Sequence, residues 1–235
     1  SITKLEKTFR YNSSIAHTAG AFVMRNTEQY EKSVVTDVEV REPQIYLLDD
    51  RSGGSDPLQE RALQIAKRIR SEDANGKIVI LARYNYLLNN ARKYFRSNSS
   101  IRVDYRTFHG SKGLEWDHCI LIGFFQGKSG FPNQNKEEAL LEALLPATDD
   151  FPHSEERRLL YVALTRAKHK SYLIADPMAP SSFVTELLSP AYEINIHSTT
   201  FEEQYRSIFK CPQCSTGHFR LTKGQHGKFY SCTSG

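Results

Sequence analysis

The sequence predicts an α/β fold, a mostly parallel sheet flanked by helices, with a small separate unit at the carboxyl end. Three observations carry this reading. Between about residues 44 and 190, short apolar runs alternate with stretches whose apolar residues recur at helical spacing. The runs are apolar throughout, as in strands covered on both faces. Turn residues separate them, and no internal repeat is evident. In such sheets ligands are expected at the carboxyl ends of the strands.

Taken in order, residues 1–30 are helical in the middle (Ile15, Ala16, Ala19, Phe22 and Val23), and Val34 to Val40 alternates like an edge strand. Ile45-Tyr46-Leu47-Leu48 reads as a strand. Asp56-Pro57 opens an amphipathic helix, because proline is already set for a first helical turn. Its Leu58, Ala62, Ile65, Ala66 and Ile69 share one face, and Asn75-Gly76 ends it. The strand Lys77 to Ala82 leads to a helix through Leu87, Leu88, Ala91 and Phe95, broken at Ser97-Asn98-Ser99-Ser100. Strands near 101–106 and 118–124 follow, then helices at 136–145 and 154–168, a strand at 171–175 and a short helix at 181–188. Residues 191–210 read as a polar connection to the separate tail.

The chain has 235 residues, room for one domain with a substantial core plus a small appendage. Its 31 lysines and arginines against 27 aspartates and glutamates leave a net charge of +4, too mild to indicate nucleic acid by itself. With 39% hydrophobic and 25% charged residues the composition is that of a folded globular protein, and apolar runs such as 118–125 fall far short of a membrane span. No membrane partner is expected. The chain starts at Ser1 and stops at Gly235 just after a cysteine, and it reads as a piece of a longer protein.

Some features invite chemistry they do not support. Gly127-Lys128-Ser129 lacks the glycine that a P-loop needs five positions before its second glycine, where Ile122 stands. Asp49-Asp50 at a strand end then has no phosphate-bound magnesium to serve. Cys119, in an apolar run, is expected to be a small buried hydrophobe.

Two stretches stand out. Thr107-Phe108-His109-Gly110-Ser111-Lys112-Gly113-Leu114-Glu115-Trp116 is polar and glycine-broken, set between two strands. It reads either as a structural turn or as a loop whose Thr, His and Lys donate to phosphate oxygens and whose glutamate accepts from a sugar hydroxyl. Glu155 to Lys168 reads as a helix with Leu159, Val162, Ala163 and Ala167 on its core face. Its cations, Arg166 among them, are accounted for on pattern alone as a solvated surface near a helix carboxyl end.

Together and in this order the stretches resemble the UvrD/Rep family of superfamily 1 DNA helicases, specifically its second RecA-like motor domain. His109 to Trp116 resembles motif V, and Glu156-Arg157-Arg158-Leu159-Leu160-Tyr161-Val162-Ala163-Leu164-Thr165-Arg166-Ala167 resembles motif VI. Leu5 to Ile15 is similar to motif IV, with Thr8-Phe9-Arg10 where the family usually has Asn-Tyr-Arg, and Leu81-Ala82-Arg83-Tyr84-Asn85 is similar to motif IVa. Coverage runs from roughly residue 3 to 190, so the resemblance implies a helicase domain over 1–190, with the polar stretch 191–210 as the linker after it. The accessory domain that many relatives insert between motifs IVa and V is absent.

The resemblance implies that Arg10 and Arg166 reach the ATP γ-phosphate from across a cleft between two motor domains, and that Phe9 stacks on the base. Glu115 is implied to hold the ribose. Arg83, Asn85, Thr107 and His109 are implied to contact single-stranded DNA, with Lys112 as a phosphate or structural contact. The family's P-loop, magnesium-binding aspartate and catalytic glutamate belong to a first motor domain, so the implied partners are that N-terminal domain and single-stranded and duplex DNA. ATP and Mg²⁺ are then shared between domains, and this chain alone is expected neither to hydrolyse ATP nor to unwind DNA. The whole is implied to be a cytoplasmic, nucleoid-associated bacterial helicase moving 3′ to 5′ in repair or recombination. The competing reading is a non-catalytic DNA-binding module.

Cys211-Pro212-Gln213-Cys214 and, after seventeen intervening residues, Cys232 supply three ligands of a zinc ribbon spanning 211–235. The fourth is expected beyond Gly235, or from His218 or His226. Lys223, His226, Lys228, Phe229 and Tyr230 between the cysteines mix cations and aromatics as single-strand binders do, and the tail resembles the zinc fingers at topoisomerase carboxyl termini. A purely structural metal clip is the plainer reading.

Overall fold

The computed structural model describes residues 7–29, 35–133, 151–214, 216–225 and 227–234. In chain order these form β1 (Lys7–Thr8), α1 (Ser13–Met24), β2 (Val35–Thr36), β3 (Ile45–Asp49), α2 (Pro57–Glu72), β4 (Ile78–Ala82), α3 (Asn85–Asn98), β5 (Asp104–Thr107) and β6 (Trp116–Phe124). Then come α4 (Ser154–Leu164), β7 (Ala167–Ala175), α5 (Ser182–Leu187), β8 (Asn195–His197), α6 (Thr199–Ile208), β9 (Phe219–Gly224) and β10 (Gly227–Cys232).

Among the described residues six strands join one sheet in the order β5-β4-β6-β7-β3-β8, and every pairing is parallel. Strand pleating explains why the central runs are apolar throughout. Ile78, Ile80 and Ala82 of β4 pack with Ala62, Ile65 and Ile69 of α2 and Leu87 and Phe95 of α3. Val79 and Leu81 turn the other way, toward Ile15 and Phe22 of α1, Leu159 and Leu160 of α4 and Phe183 of α5. Each of the Val, Leu, Ile and Phe side chains so buried contributes about 1.5–3 kcal/mol. Cys119 is wholly buried in this layer and its thiol is pushed far up by burial, so it is a core residue as expected.

Capping fixes three helix starts. The side chains of Asn12, Ser181 and Ser198 accept from the backbone N–H groups of Ile15, Val184 and Phe201 at 3.1, 3.4 and 3.3 Å. Under α4 lies a buried cation. Arg157, 5% exposed, makes a two-bond fork with Glu186 (2.8 and 2.7 Å), donates to the Phe22 carbonyl at 2.8 Å and stacks 4.2 Å from the Phe22 ring centroid. Burial alone would raise the Glu186 carboxyl, but hydrogen bonds from Arg157 and Tyr192 hold it below its ordinary range.

The structure departs from the sequence reading at several points. The helix expected over 154–168 ends at Leu164, because Ala167 already pairs with Trp116 in the sheet. Arg166 is therefore not a solvated cation in a last helical turn; it is 7% exposed, between helix and strand. The strand expected near 101 begins at Asp104. Val35–Thr36 pairs with Lys7–Thr8 in a separate two-stranded sheet and is not an edge of the main one. The stretch 191–210, read as a linker, contains β8, which extends the main sheet beside β3, and α6. The helix expected at 136–145 lies outside the described residues.

Candidate functional site

Parallel register brings one group of predicted residues together at the amino ends of β6 and β7. Trp116 pairs with Ala167, and its N–H donates to the Arg166 carbonyl at 3.0 Å. Glu115 is thereby set beside Arg166 and Lys168. Lys168 Nζ stands 2.8 Å from Glu115 Oε1, and Arg10 Nε donates to Oε2 at 3.3 Å. Lys168 first, then Arg10, lowers the Glu115 pKa. Arg166 donates from Nε to the Val162 carbonyl (2.9 Å), from Nη1 to the Leu114 carbonyl (3.1 Å) and from Nη2 to Thr165 Oγ1 (3.2 Å). Its own pKa is lowered by burial and by the nearby Arg10. Two cations, Lys168 and Arg10, hold the Glu115 carboxylate, and Arg166, near enough to Arg10 to feel its charge, adds a third, an excess of positive charge suited to a polyanion.

Asn12, which the sequence reading did not single out, locks this corner. Its Nδ2 donates to the carbonyls of Lys168 (3.1 Å) and His169 (2.8 Å) while its Oδ1 caps α1. The segment carrying Phe9 and Arg10 is thus tied to the start of β7, with Phe9 75% exposed. An Asn before a helical run was a readable cap signal; its grip on a distant strand was not. Asn12→Ala is expected to cost about 1–2 kcal/mol as a lost cap. A lowered midpoint in thermal unfolding checks this, and an unshifted midpoint would refute it.

A second group lies at the opposite, carboxyl end of the sheet. Ala82 pairs with Thr107, and Phe108 N–H donates to the Ala82 carbonyl at 2.9 Å, which sets Arg83 beside the 107–109 segment. Arg83, His109 and Lys112 line a cleft of about 310 Å³ with Glu155, Glu156 and Arg158. Arg83 Nε donates to Glu156 Oε1 at 2.8 Å, a partner not anticipated. Thr107 Oγ1 accepts from Gly110 N–H at 3.0 Å and so braces the turn. His109 has its pKa lowered by burial, Arg83 and Lys112. Asn85 is exposed at the first position of α3.

The predicted residues therefore form two groups. From the level of Trp116 to that of Ile122, which lies beside Ala82, is six residues of β6, about 20 Å at ~3.3 Å per residue. The Arg83–His109 cleft lies at the strand carboxyl ends, where ligands were expected, whereas Arg10, Glu115 and Arg166 gather at the amino ends, contrary to that expectation.

The three tail cysteines converge, with their Sγ atoms all within 4.8 Å of one another and Cys214 and Cys232 at 3.5 Å. Two sulfurs on a tetrahedral zinc would be about 3.8 Å apart at a Zn–S distance near 2.3 Å, so the spacing fits. Gly217 and Ser234 N–H groups donate to the Cys214 and Cys232 sulfurs at 3.3 and 3.4 Å. The Gly217 N–H, then Cys232, brings the Cys214 thiol down to about 7. A Cβ on Gly217 would collide with the Cys232 sulfur, so this turn requires glycine. Among the described residues no fourth ligand joins the cluster. His218 stands outside it, its Nδ1 within 3.3 Å of Thr233 Oγ1 and its ring against Tyr205. His226 and the side chains of Lys223 and Lys228 lie outside the described residues.

Comparison with known proteins now bears on this geometry. Residues 63–176 match the family model described as the UvrD-like helicase C-terminal domain. The chain is 35% identical over 181 residues to DNA helicase IV of Escherichia coli K12, covering 77% of this chain and 25% of that protein. It is 30% identical over 182 residues to a Rickettsia felis protein named "Probable DNA helicase II homolog", covering 70% and 25%. The chain thus spans about a quarter of the length of these curated relatives. In fold it is similar to the crystal structure of the C-terminal domain of a "possible DNA helicase" from Lactobacillus plantarum WCFS1, with a TM-score of 0.50 at 14% identity, covering 80% of this chain and 99% of that one. On the family match and these relatives the chain belongs to the UvrD-like helicases, as their C-terminal domain.

Proposed function

We infer that this chain is the second motor domain of an ATP-dependent DNA helicase that moves 3′ to 5′ on single strands, in the cytoplasm, in repair or recombination. The observation that carries the reading is the Arg10–Glu115–Arg166–Lys168 cluster, three cations with one carboxylate, about 20 Å from the Arg83–His109 cleft. Among the described residues Arg166 uses three of its five N–H donors, leaving one on each Nη for a phosphate. Arg10 is engaged through Nε, and its Nη groups make no hydrogen bond among the described residues. Both guanidinium groups would neutralise charge on a γ-phosphoryl group held with Mg²⁺ by the P-loop of a first motor domain. Glu115 would accept from the ribose, and the exposed Phe9 ring would cover the base. Closing the interdomain cleft to place these groups, and opening it after hydrolysis, would shift the DNA held at the opposite end of the sheet.

DNA-stimulated ATPase of the complete helicase tests the reading; if Arg166→Ala leaves the rate unchanged, the chain is a DNA-binding module instead. For the DNA face, Arg83→Ala with His109→Ala is expected to weaken single-strand binding at low salt and to flatten the salt dependence by about 0.7 in log–log slope for the one cation removed. Unchanged affinity and slope would count against that assignment. Cys211, Cys214 and Cys232 would hold zinc as thiolates, a structural clip for a hairpin with little core of its own. Metal analysis of the complete protein is expected to give about one zinc per chain, lost on Cys214→Ser; no zinc in the unaltered protein would refute the assignment.

A further inference from the structure

A larger cleft, about 440 Å³, lies away from both groups, between the chain leading into β8, helix α6 and the cysteine hairpin. Arg41, Arg206 and Arg220 line it from three different elements, over an apolar floor that includes Ile194, Ile196 and Tyr205. The hairpin is docked there by specific bonds. Tyr205 Oη donates to the Phe219 carbonyl at 2.7 Å, and Phe219 N–H donates to the Phe209 carbonyl at 2.8 Å. Arg220, the next residue, is held at the rim as a result.

These guanidinium groups are poorly neutralised. Arg41 and Arg220 have no carboxylate partner among the described residues, and Arg206 has only an exposed contact with Glu202 at 3.6 Å, of the kind that is weak in water. Glu193 and Glu202 are the lining carboxylates, fewer than the arginines. His218 also lines the cleft, and its pKa is lowered by burial, then by Arg206 and Arg220, so both cations are felt inside it. Several cations around an apolar floor with an aromatic ring suit a ligand that alternates anionic groups with flat apolar faces, and a single nucleic-acid strand has that form. β8 is the edge strand opposite β5, so this cleft and the Arg83–His109 cleft lie toward opposite edges of the sheet.

We propose that the cleft between α6 and the cysteine hairpin is a second binding site for single-stranded nucleic acid, holding phosphates on Arg41, Arg206 and Arg220 and a base against Tyr205. It deepens the DNA-binding reading above by adding a site that reading does not contain. An acidic peptide is the other class of ligand the charge would admit.

The test is fluorescence anisotropy of a labelled oligo-dT with the full chain across a salt series. Four proteins are compared: the unaltered chain, the triple variant Arg41→Ala, Arg206→Ala, Arg220→Ala, the single variant Arg220→Gln, and the variant Arg83→Ala, His109→Ala. The triple variant is expected to bind roughly tenfold more weakly at low salt, with a log–log slope flatter by about 2 for three lost contacts at ~0.7 each. Arg220→Gln alone, on the docked hairpin, should flatten the slope by about 0.7 and guards against a folding failure of the triple variant. Unchanged affinity and slope in both variants altered at Arg220 overturn the proposal. If only the Arg83, His109 variant loses binding, the motor reading stands and this one fails; if only the triple variant does, this proposal stands and the motor-face assignment fails. A glutamate-rich peptide that the triple variant loses while oligo-dT binding is unchanged also overturns it, in favour of a protein partner.

Discussion

Glu186→Ala is expected to destabilise the domain by about 3–5 kcal/mol, because it strands the buried Arg157 guanidinium. Arg157 has its side chain 6% exposed, inside a ring of Phe22, Phe151 and Phe183 with centroids 4.2, 5.2 and 5.4 Å from the guanidinium carbon. Without Glu186 the Phe22 carbonyl remains its one described hydrogen-bond acceptor. For a domain of 150–250 residues each kcal/mol lowers the melting temperature by about 2–4 °C, so a fall of roughly 6–20 °C is expected in thermal unfolding. Replacing the pair together, Arg157→Met with Glu186→Leu, should cost less than either single change, since no uncompensated charge is left behind. A double variant as unstable as the two single losses combined would contradict this. The pair also sets an acid dependence. The folded carboxyl lies below the unfolded value of about 4.3. Its contribution is fully present above that value and is lost as pH falls through the lowered folded value. Urea unfolding compared at pH 7 and at acid pH should show this loss, and Glu186→Gln should remove that part of the slope.

Arg166→Ala in the complete helicase is expected to lower DNA-stimulated ATP hydrolysis by about 10³-fold or more, the scale on which an arginine supplied from a second domain acts. Arg166→Lys should not restore the rate, because an ammonium cannot hold the Val162 and Leu114 carbonyls and present two parallel donors as well. Both carbonyls lose a donor in the alanine variant, at about 1 kcal/mol each, so the rate is read only below the variant's melting temperature. A rate within tenfold of the unaltered helicase would contradict the assignment.

The strands were the most legible part of the fold. Ile78 to Ala82 and the run through Cys119 to Ile122 are apolar at every position, which a parallel strand covered on both faces requires. Helix α2 was readable because Pro57 opens it and one apolar face runs through Ile69. The end of α4 was not readable. Thr165, Arg166 and Ala167 continue a helical pattern, but the Thr165 hydroxyl turns back on the Tyr161 and Val162 carbonyls at 2.9 and 3.1 Å and sheet pairing captures Ala167. The linker reading of 191–210 failed because β8 is a three-residue edge strand with polar ends and has no sequence period of its own. Motif resemblance supplied the site residues one by one. Their division between two ends of the sheet depends on strand register, and so does the pairing of Arg83 with Glu156, residues 73 apart in sequence.

The central claim is that one end of this sheet serves phosphate chemistry and the other end serves DNA. ATP hydrolysis by the complete helicase, titrated with oligo-dT for Arg166→Ala and Arg83→Ala side by side, tests it most directly. The account predicts that Arg166→Ala collapses the maximal rate while leaving the oligo-dT concentration for half-activation unchanged, and that Arg83→Ala raises that concentration while leaving the maximal rate in place. The reverse pattern, or the same loss of maximal rate from both variants, would contradict it.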